Sequence, residues 1–299
     1  MNPKVFIIIL NWKNWPDLKE CLESVKNNDY PNYRVIIVDN DSKEKPNISD
    51  PEIKIIYNKE NLGFSGGNNV GIKYALENNA DYVLLLNDDT VVEQDFLTEL
   101  IKATESAPEI GLAGSKIYYH EDRNKIWSAG GKINWFYNKG TLRGWGKNDQ
   151  GQYDNPAIQE TPHLTGCCLL VKRETIKKIG LLSEDYFLYY EDTDWCFRAR
   201  KAGYKCIFVP KSKIWHKISR SAVAESSTYI YYHVRNGLIF SSKFAPIYIK
   251  PFVHLDVLWR ILKQIIKLLI PNKRAWVKPI LLGIKDFYLK RYGKYENWY

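Results

Sequence analysis

The 299-residue chain lacks any stretch of about 18 apolar residues, so no segment reads as a membrane-spanning helix. Its first apolar run, Val5–Leu10, is too short for a secretory leader, follows a single lysine and has no small-residue cleavage site. Cysteine is sparse. Cys21, Cys167, Cys168, Cys196 and Cys206 make an odd number with no C-x-x-C pair, the pattern of buried free thiols in a reducing compartment. There is no G-x-G-x-x-G fingerprint, and the one glycine-rich turn before a helix lacks a P-loop lysine. Acid is scarce at one end only. Residues 1–219 hold 29 basic and 30 acidic side chains, whereas residues 220–299 hold 14 and 4. The basic excess of the tail calls for an anionic partner, nucleic acid or an anionic membrane surface. The expected location is cytoplasmic, with room for a peripheral place at the inner face of the cell membrane.

What is present is a globular composition, 45% apolar and rich in Tyr and Trp, long enough for an ample core. Short apolar runs at Val5–Leu10, Arg34–Val38, Ile53–Tyr57 and Tyr82–Leu86 alternate with helical patterns at Asp17–Asn27, Asn68–Asn78 and Asp95–Ser106. That alternation predicts an α/β fold with a mainly parallel sheet. Residues 107–170 are glycine-rich and read as turns and short antiparallel strands. Leu164–Val171 reads as a buried strand, with a short helix Arg173–Ile179 stopped at Gly180. His254–Ile270 and Ala275–Lys290 read as basic amphipathic helices.

The strand Tyr82–Leu86 runs directly into Asn87-Asp88-Asp89-Thr90. Unpaired carboxylates at a core edge cost several kcal/mol, which a Mg²⁺ or Mn²⁺ ion shared with a diphosphate would remove. A solvated turn capping the next helix is the plainer alternative. Ligands of parallel sheets bind beyond the carboxyl ends of the strands. Asn11, Asp39-Asn40 and Asn87-Asp88-Asp89 are all predicted to lie there. The turn from Asn61 through Gly66 to Asn69 suits close approach of a ligand to backbone N–H groups. Glu191-Asp192-Thr193-Asp194 follows an aromatic run, which suits either a general base in an apolar pocket or the acidic first turn of a helix. His216 is either a packed histidine or a partner of aspartate on a metal. Arg235 is either a phosphate clamp or a surface or ion-paired residue.

Together IIILNW (7–12), VDNDS (38–42), NLGFSGGNN (61–69), LLLNDDT (84–90), TGCCLLVKR (165–173) and YFLYYEDTDWCFRARKAGY (186–204), followed by His216, resemble the inverting glycosyltransferases of family 2 with a GT-A fold. The resemblance covers about residues 4–240 and is nearest the bacterial branch of rhamnosyl- and galactofuranosyltransferases. It implies a nucleotide-sugar half (1–118), an acceptor half (119–220) and a basic helical region (221–299). It implies that Asp39 reads the nucleotide base, with Asn11, Asn61, Gly66 and Asn68 lining that pocket. Asn87-Asp88-Asp89 falls on the D-x-D element, with Asn87 in place of the usual first Asp. Asp89 and His216 would hold Mg²⁺ or Mn²⁺, Asp192 would be the base, and Glu191, Trp195 and Arg198 would support the acceptor.

The implied reaction moves rhamnose or another hexose from a dTDP- or UDP-sugar to a hydroxyl of a glycan or lipid-linked acceptor in surface-polysaccharide synthesis. A galactofuranose- or other UDP-hexose-using enzyme is the variant of the same fold. The missing Q-x-x-R-W element argues for adding one or a few sugars. A nucleotidyltransferase would need a basic glycine-rich loop that residues 11–17 do not supply, and a basic nucleic-acid-binding module has no use for Asp89 and Asp192. The helices of 250–291 are expected to meet an anionic membrane surface, or to pack on the catalytic domain or a second copy in a homodimer.

Overall fold

The computed structural model describes residues 2–42, 48, 50, 52–137, 139–155, 159–218, 226–268 and 276–295. Four apolar strands, β1 (Val5–Asn11), β2 (Tyr33–Asp39), β3 (Ile53–Tyr57) and β4 (Tyr82–Asn87), form the parallel part of the sheet in the order β3-β2-β1-β4. Their cross-strand pairs include Asn11 with Asp39 and Leu10 with Asn87, so all three strands end at one edge. Helices α1 (Trp15–Lys26) and α2 (Gly63–Glu77) make the crossovers. α1 buries Leu18, Cys21, Leu22 and Val25, the apolar stripe expected of it.

The short strand β5 (Thr90–Val92) and helix α3 (Phe96–Glu105) lead into the long β6 (Ile110–Tyr119). The glycine-rich region supplies β7 (Lys125–Ser128), β8 (Gly131–Asn134), a 3₁₀ turn (Trp135–Tyr137), β9 (Lys139–Leu142), β10 (Lys147–Asn148) and β11 (Gln159–Glu160). β12 (Cys168–Lys172) inserts antiparallel between β4 and β6, making the sheet mixed. Helices α4 (Arg173–Ile179) and α5 (Glu191–Lys201) precede β13 (Lys205–His216). β13 runs parallel to β6 and is irregular between Val209 and Lys213, around Pro210. Helices α6 (Ser227–Phe244), α7 (Lys250–Leu268) and α8 (Val277–Tyr288) complete the chain. All five cysteines are buried free thiols, and burial pushes those of Cys21 and Cys168 up to about 12.

Several expectations change. The strand read at Leu164–Val171 begins only at Cys168, and residues 110–119 form one long strand, parallel to β13, where short antiparallel strands were expected. α2 begins at Gly63 rather than Asn68, so the glycine-rich segment is the first turns of a helix. A Cβ on Gly67 would stand 2.4 Å from Leu10 Cδ1, and one on Gly71 2.6 Å from Ile8 Cγ2. These glycines let α2 lie against β1 without a clash. Arg235 is neither exposed nor ion-paired to a carboxylate. It is buried, and its guanidinium donates to the carbonyls of Asp185 and Tyr186 at 3.2 Å each and of Gly293 at 2.8 Å. Ile270 and Ala275, predicted ends of the last two helices, and Leu269 lie outside the described residues.

Candidate active site

The site starts at the strand ends. Asn11, fully buried, donates from Nδ2 to Asp39 Oδ1 at 3.1 Å, and the Ser42 amide donates to Asp39 Oδ2 at 3.0 Å. Asp39 is thus fixed at the mouth of β2 with both oxygens oriented. Asn40 donates to the Gly63 carbonyl at 2.9 Å and accepts from Asn58 Nδ2 at 2.8 Å, tying the ends of β2 and β3 to the start of α2. Asn61 Oδ1 accepts from the Gly63 amide at 2.8 Å.

The start of α2 offers less to an anion than the glycines promised. The Phe64 and Ser65 amides both point to the Phe187 carbonyl, at 2.7 and 3.4 Å. With the Gly63 amide on Asn61, three of the first N–H groups are already satisfied from within the chain. Gly66 is buried, and Asn68 turns its amide back to the Phe64 carbonyl at 2.9 Å. Both are buried within the first turns of α2. Asn69, which the sequence did not single out, exchanges hydrogen bonds with the Leu182 backbone at 3.0 Å in each direction.

After β4 the turn tightens. Thr90 Oγ1 donates to the Asn87 carbonyl at 2.7 Å, and the Asn87 amide donates to the Cys167 carbonyl at 3.0 Å. Asp88 is half-buried. Desolvation, reinforced by the charge of Asp89, pushes its carboxyl well above the usual range. Asp89 is almost fully buried, and its Oδ1 faces His216 Nε2 at 3.1 Å. His216 arrives there because β13 pairs its last residue with Thr90 of β5. Its ring is held edge-on by Trp127 at 4.7 Å, and its buried Nδ1 has no hydrogen-bond partner among the described residues. No group of three or more His, Cys, Asp or Glu able to cage an ion occurs among the described residues. A buried carboxylate and a buried imidazole nitrogen facing each other nevertheless fit a divalent cation that takes its other ligands from a diphosphate and water.

Asp192 sits at the start of α5. Its Oδ2 accepts from the Gly166 amide at 2.8 Å, and its Oδ1 accepts from the Thr193 amide at 2.6 Å and Thr193 Oγ1 at 3.1 Å. Gly166 is the residue before Cys167, so one short turn touches both Asn87 and Asp192. A Cβ on Gly166 would stand 2.9 Å from the Phe64 ring. Glu191 is buried, and its Oε2 has no hydrogen-bond partner among the described residues. Desolvation, then the charge of Asp192, holds its carboxyl far above the ordinary glutamate value. His163 stands 3.1 Å from Thr193 Oγ1, and burial lowers its proton affinity despite Asp192 nearby.

Trp195 and Arg198, expected to support the acceptor, are drawn elsewhere. Trp195 is fully buried and donates from its indole N–H to the Gly180 carbonyl at 2.8 Å. Arg198 pairs with Asp194 at 2.5 Å and donates to the Ile179 and Leu181 carbonyls. They pin the 179–181 loop to α5. Asp194 is a structural acid as well, bonded also by Tyr186 and Lys243.

The segment before Glu191 is strained. Phe187, Tyr189 and Tyr190 have φ of 61°, 68° and 78°, each costing on the order of 1–3 kcal/mol for a side chain of this size. Asn236, fully buried, offsets this by donating to the carbonyls of Tyr186, Leu188 and Tyr189 at 2.8–2.9 Å. The strained loop caps α2 through Phe187 and delivers Glu191-Asp192 beside Gly166.

Comparison with known proteins agrees with this fold. Residues 5–180 match the family model described as glycosyl transferase family 2. The chain is 26% identical to a low-salt glycan biosynthesis hexosyltransferase of Haloferax volcanii, over 97% of this chain and 93% of that protein. It is 24% identical to the dTDP-rhamnosyl transferase RfbF of Shigella flexneri, over 81% of each. The fold superposes on a mannosyltransferase of Pyrobaculum calidifontis solved with GDP-Man and Mn²⁺, with a TM-score of 0.60, 13% identity, and coverage of 97% of this chain and 88% of that one. With its GT-A sheet, its acid-bearing strand ends and a family match over more than half its length, this glycosyltransferase belongs to glycosyl transferase family 2.

Proposed function

We propose that the protein is a metal-dependent, inverting hexosyltransferase. It moves rhamnose or another hexose from a dTDP- or UDP-sugar to a hydroxyl of a glycan or lipid-linked acceptor in the synthesis of a cell-surface polysaccharide. The observation that carries this reading is the single turn Gly166-Cys167. It joins the Asn87–Asp89 turn on one side to Asp192 on the other, so a leaving group at Asp89 and a hydroxyl at Asp192 would flank one sugar.

In this reading Asp39, oriented by Asn11 and Ser42, accepts hydrogen bonds from the nucleotide base. Asp89 and His216 would hold Mg²⁺ or Mn²⁺, which when bound neutralises charge on the departing diphosphate. Asp192 removes the acceptor proton as the oxygen attacks the anomeric carbon from the face opposite the diphosphate. A single displacement inverts that carbon without a covalent enzyme intermediate. The two amide donors on Asp192 keep its oxygens pointed while the proton arrives. Glu191 is buried beside it, and burial together with the charge of Asp192 raises its hold on its own proton.

The test is a panel of dTDP-, UDP- and GDP-sugars with Mn²⁺ or Mg²⁺, read by release of nucleoside diphosphate with a hydroxyl acceptor and by the anomeric coupling in the product. One donor class turned over with inversion is expected. Retention at the anomeric carbon would refute the single displacement.

A further inference from the structure

α7 is mounted with its most apolar side outward. Val253, Val257 and Gln264 face the protein and are buried. At about 3.6 residues per turn, Leu255, Leu258, Trp259, Leu262, Ile265 and Ile266 fall in one arc of roughly 120° directly opposite, and each is more than half exposed. No polar residue interrupts the arc. An amphipathic helix that served only to close the core would show the reverse arrangement. The patch extends past the helix: Phe252 meets the exposed Phe136 edge-on at 6.1 Å, and Ile247 and Tyr248 project from the preceding turn. A contiguous apolar surface of this kind marks a docking face.

The charge around the arc selects the occupant. Lys263 borders it with Nζ 4.8 Å over the Trp259 ring, a cation and an amphipathic aromatic side by side. The acids of the described tail are used internally: Asp256 pairs with Arg260 at 2.6 Å, and Asp286 accepts from Tyr231 Oη at 2.8 Å. Lys263 stands at the edge of the arc, and Lys278, Lys285 and Lys290 are exposed on and just after α8, so the described tail presents a net positive surface. A second copy laid face to face would bring two such basic rims together. No described helix is long and apolar enough to cross a membrane, so the patch suits contact with a surface, not a span.

We propose that the outward face of α7, continued by Phe252 and Phe136, docks on an anionic lipid surface, with the apolar arc entering the acyl boundary and the lysines meeting the headgroups. Val253 and Val257 share a buried cluster with Tyr186 and Tyr190, the latter immediately before Glu191. That cluster ties the inner side of α7 to the segment that leads into Glu191-Asp192. The proposal goes beyond the transferase reading and stands without it.

The test is co-sedimentation of the full chain with phosphatidylcholine vesicles with and without phosphatidylglycerol, together with the variant Leu258→Ser/Leu262→Ser/Ile266→Ser. The three side chains are exposed, so the melting temperature of the variant should match the parent. Expected is binding to anionic vesicles that falls at least tenfold on neutral vesicles, in high salt and in the variant. Parent and variant binding alike, or no binding by the parent, would overturn the proposal. So would light scattering that finds a dimer in the parent and a monomer in the variant, with vesicle binding unchanged. None of these readouts depends on sugar transfer, so each failure is separable from failure of the transferase reading.

Discussion

Replacing Asp192 with Asn separates the chemical from the structural part of its role. The carboxylate accepts from Gly166 on one oxygen and from Thr193 on the other. An amide can serve only one of them as acceptor, so one N–H loses a charged partner, at a cost of about 1.5–3 kcal/mol. A domain with about 5–15 kcal/mol to spare remains folded. The chemical loss is larger in effect. An amide cannot take the acceptor proton, and general-base catalysis contributes typically ~10²–10⁴-fold, or about 3–5 kcal/mol of barrier. The side chains at the strand ends make no hydrogen bond to Asp192, so KM for the nucleotide sugar should stay within about twofold while kcat falls by that factor. Steady-state release of nucleoside diphosphate at varied donor and saturating acceptor reads both constants. A kcat within about threefold of the parent would refute the assignment of the base. A donor KM rising in step with the loss would place Asp192 in donor binding instead.

Glu191→Gln should alter the pH dependence of stability. Burial keeps the Glu191 proton in the folded state above the pH at which the unfolded chain releases it. Its contribution is therefore complete below about pH 4.5 and lost as pH rises through the raised folded value. Melting temperatures of parent and variant should converge near pH 5 and separate toward pH 9, with the variant higher; parallel curves would contradict the buried, protonated acid. Asn236→Ala removes three hydrogen bonds to a strained loop, two of them to the carbonyls of Leu188 and Tyr189. A loss of about 3 kcal/mol is expected, on the order of 5–10 °C in Tm, with kcat reduced because Asp192 loses its register. A Tm within about 1 °C of the parent would show that the loop holds its shape without the clamp.

The sheet was legible because each parallel strand announces itself as an unbroken apolar run, and because Asn11, Asp39 and Asn87 end three such runs. Parallel topology then brings them to one edge. His216 was left between a packed and a metal-binding reading until resemblance favoured the second, since its place beside Asp89 depends on the antiparallel pairing of β13 with β5, in which Thr90 meets His216, 126 residues on. The glycines of 63–71 misled for a physical reason: a small residue serves equally to approach a ligand and to approach a strand, and only the position of Leu10 and Ile8 decides. Arg235, Trp195 and Arg198 look functional by residue type, yet apart from the pairing of Arg198 with Asp194 and of Arg235 with Asn236 and Tyr231 their donors go to backbone carbonyls, which leave no mark in the sequence. Asn236 was missed because its partners are backbone carbonyls, and Gly166 because its donor to Asp192 is its own backbone amide. The amphipathicity of α7 was readable. Which face it turns outward was not, because Val253 and Val257 on the inner side are as apolar as their outer neighbours.

The most direct test is calorimetric titration with dTDP and UDP, in Mn²⁺ and in EDTA, of the parent, Asp89→Ala and Asp192→Asn. The account holds that the edge shared by Asp39 and Asp89 grips a nucleoside diphosphate through a divalent ion, whereas Asp192 acts on the acceptor. It predicts Mn²⁺-dependent binding of one of the two nucleotides, at least tenfold weaker in EDTA and in Asp89→Ala, and unchanged in Asp192→Asn. Equal affinity in EDTA, or parent-like binding by Asp89→Ala, would contradict it.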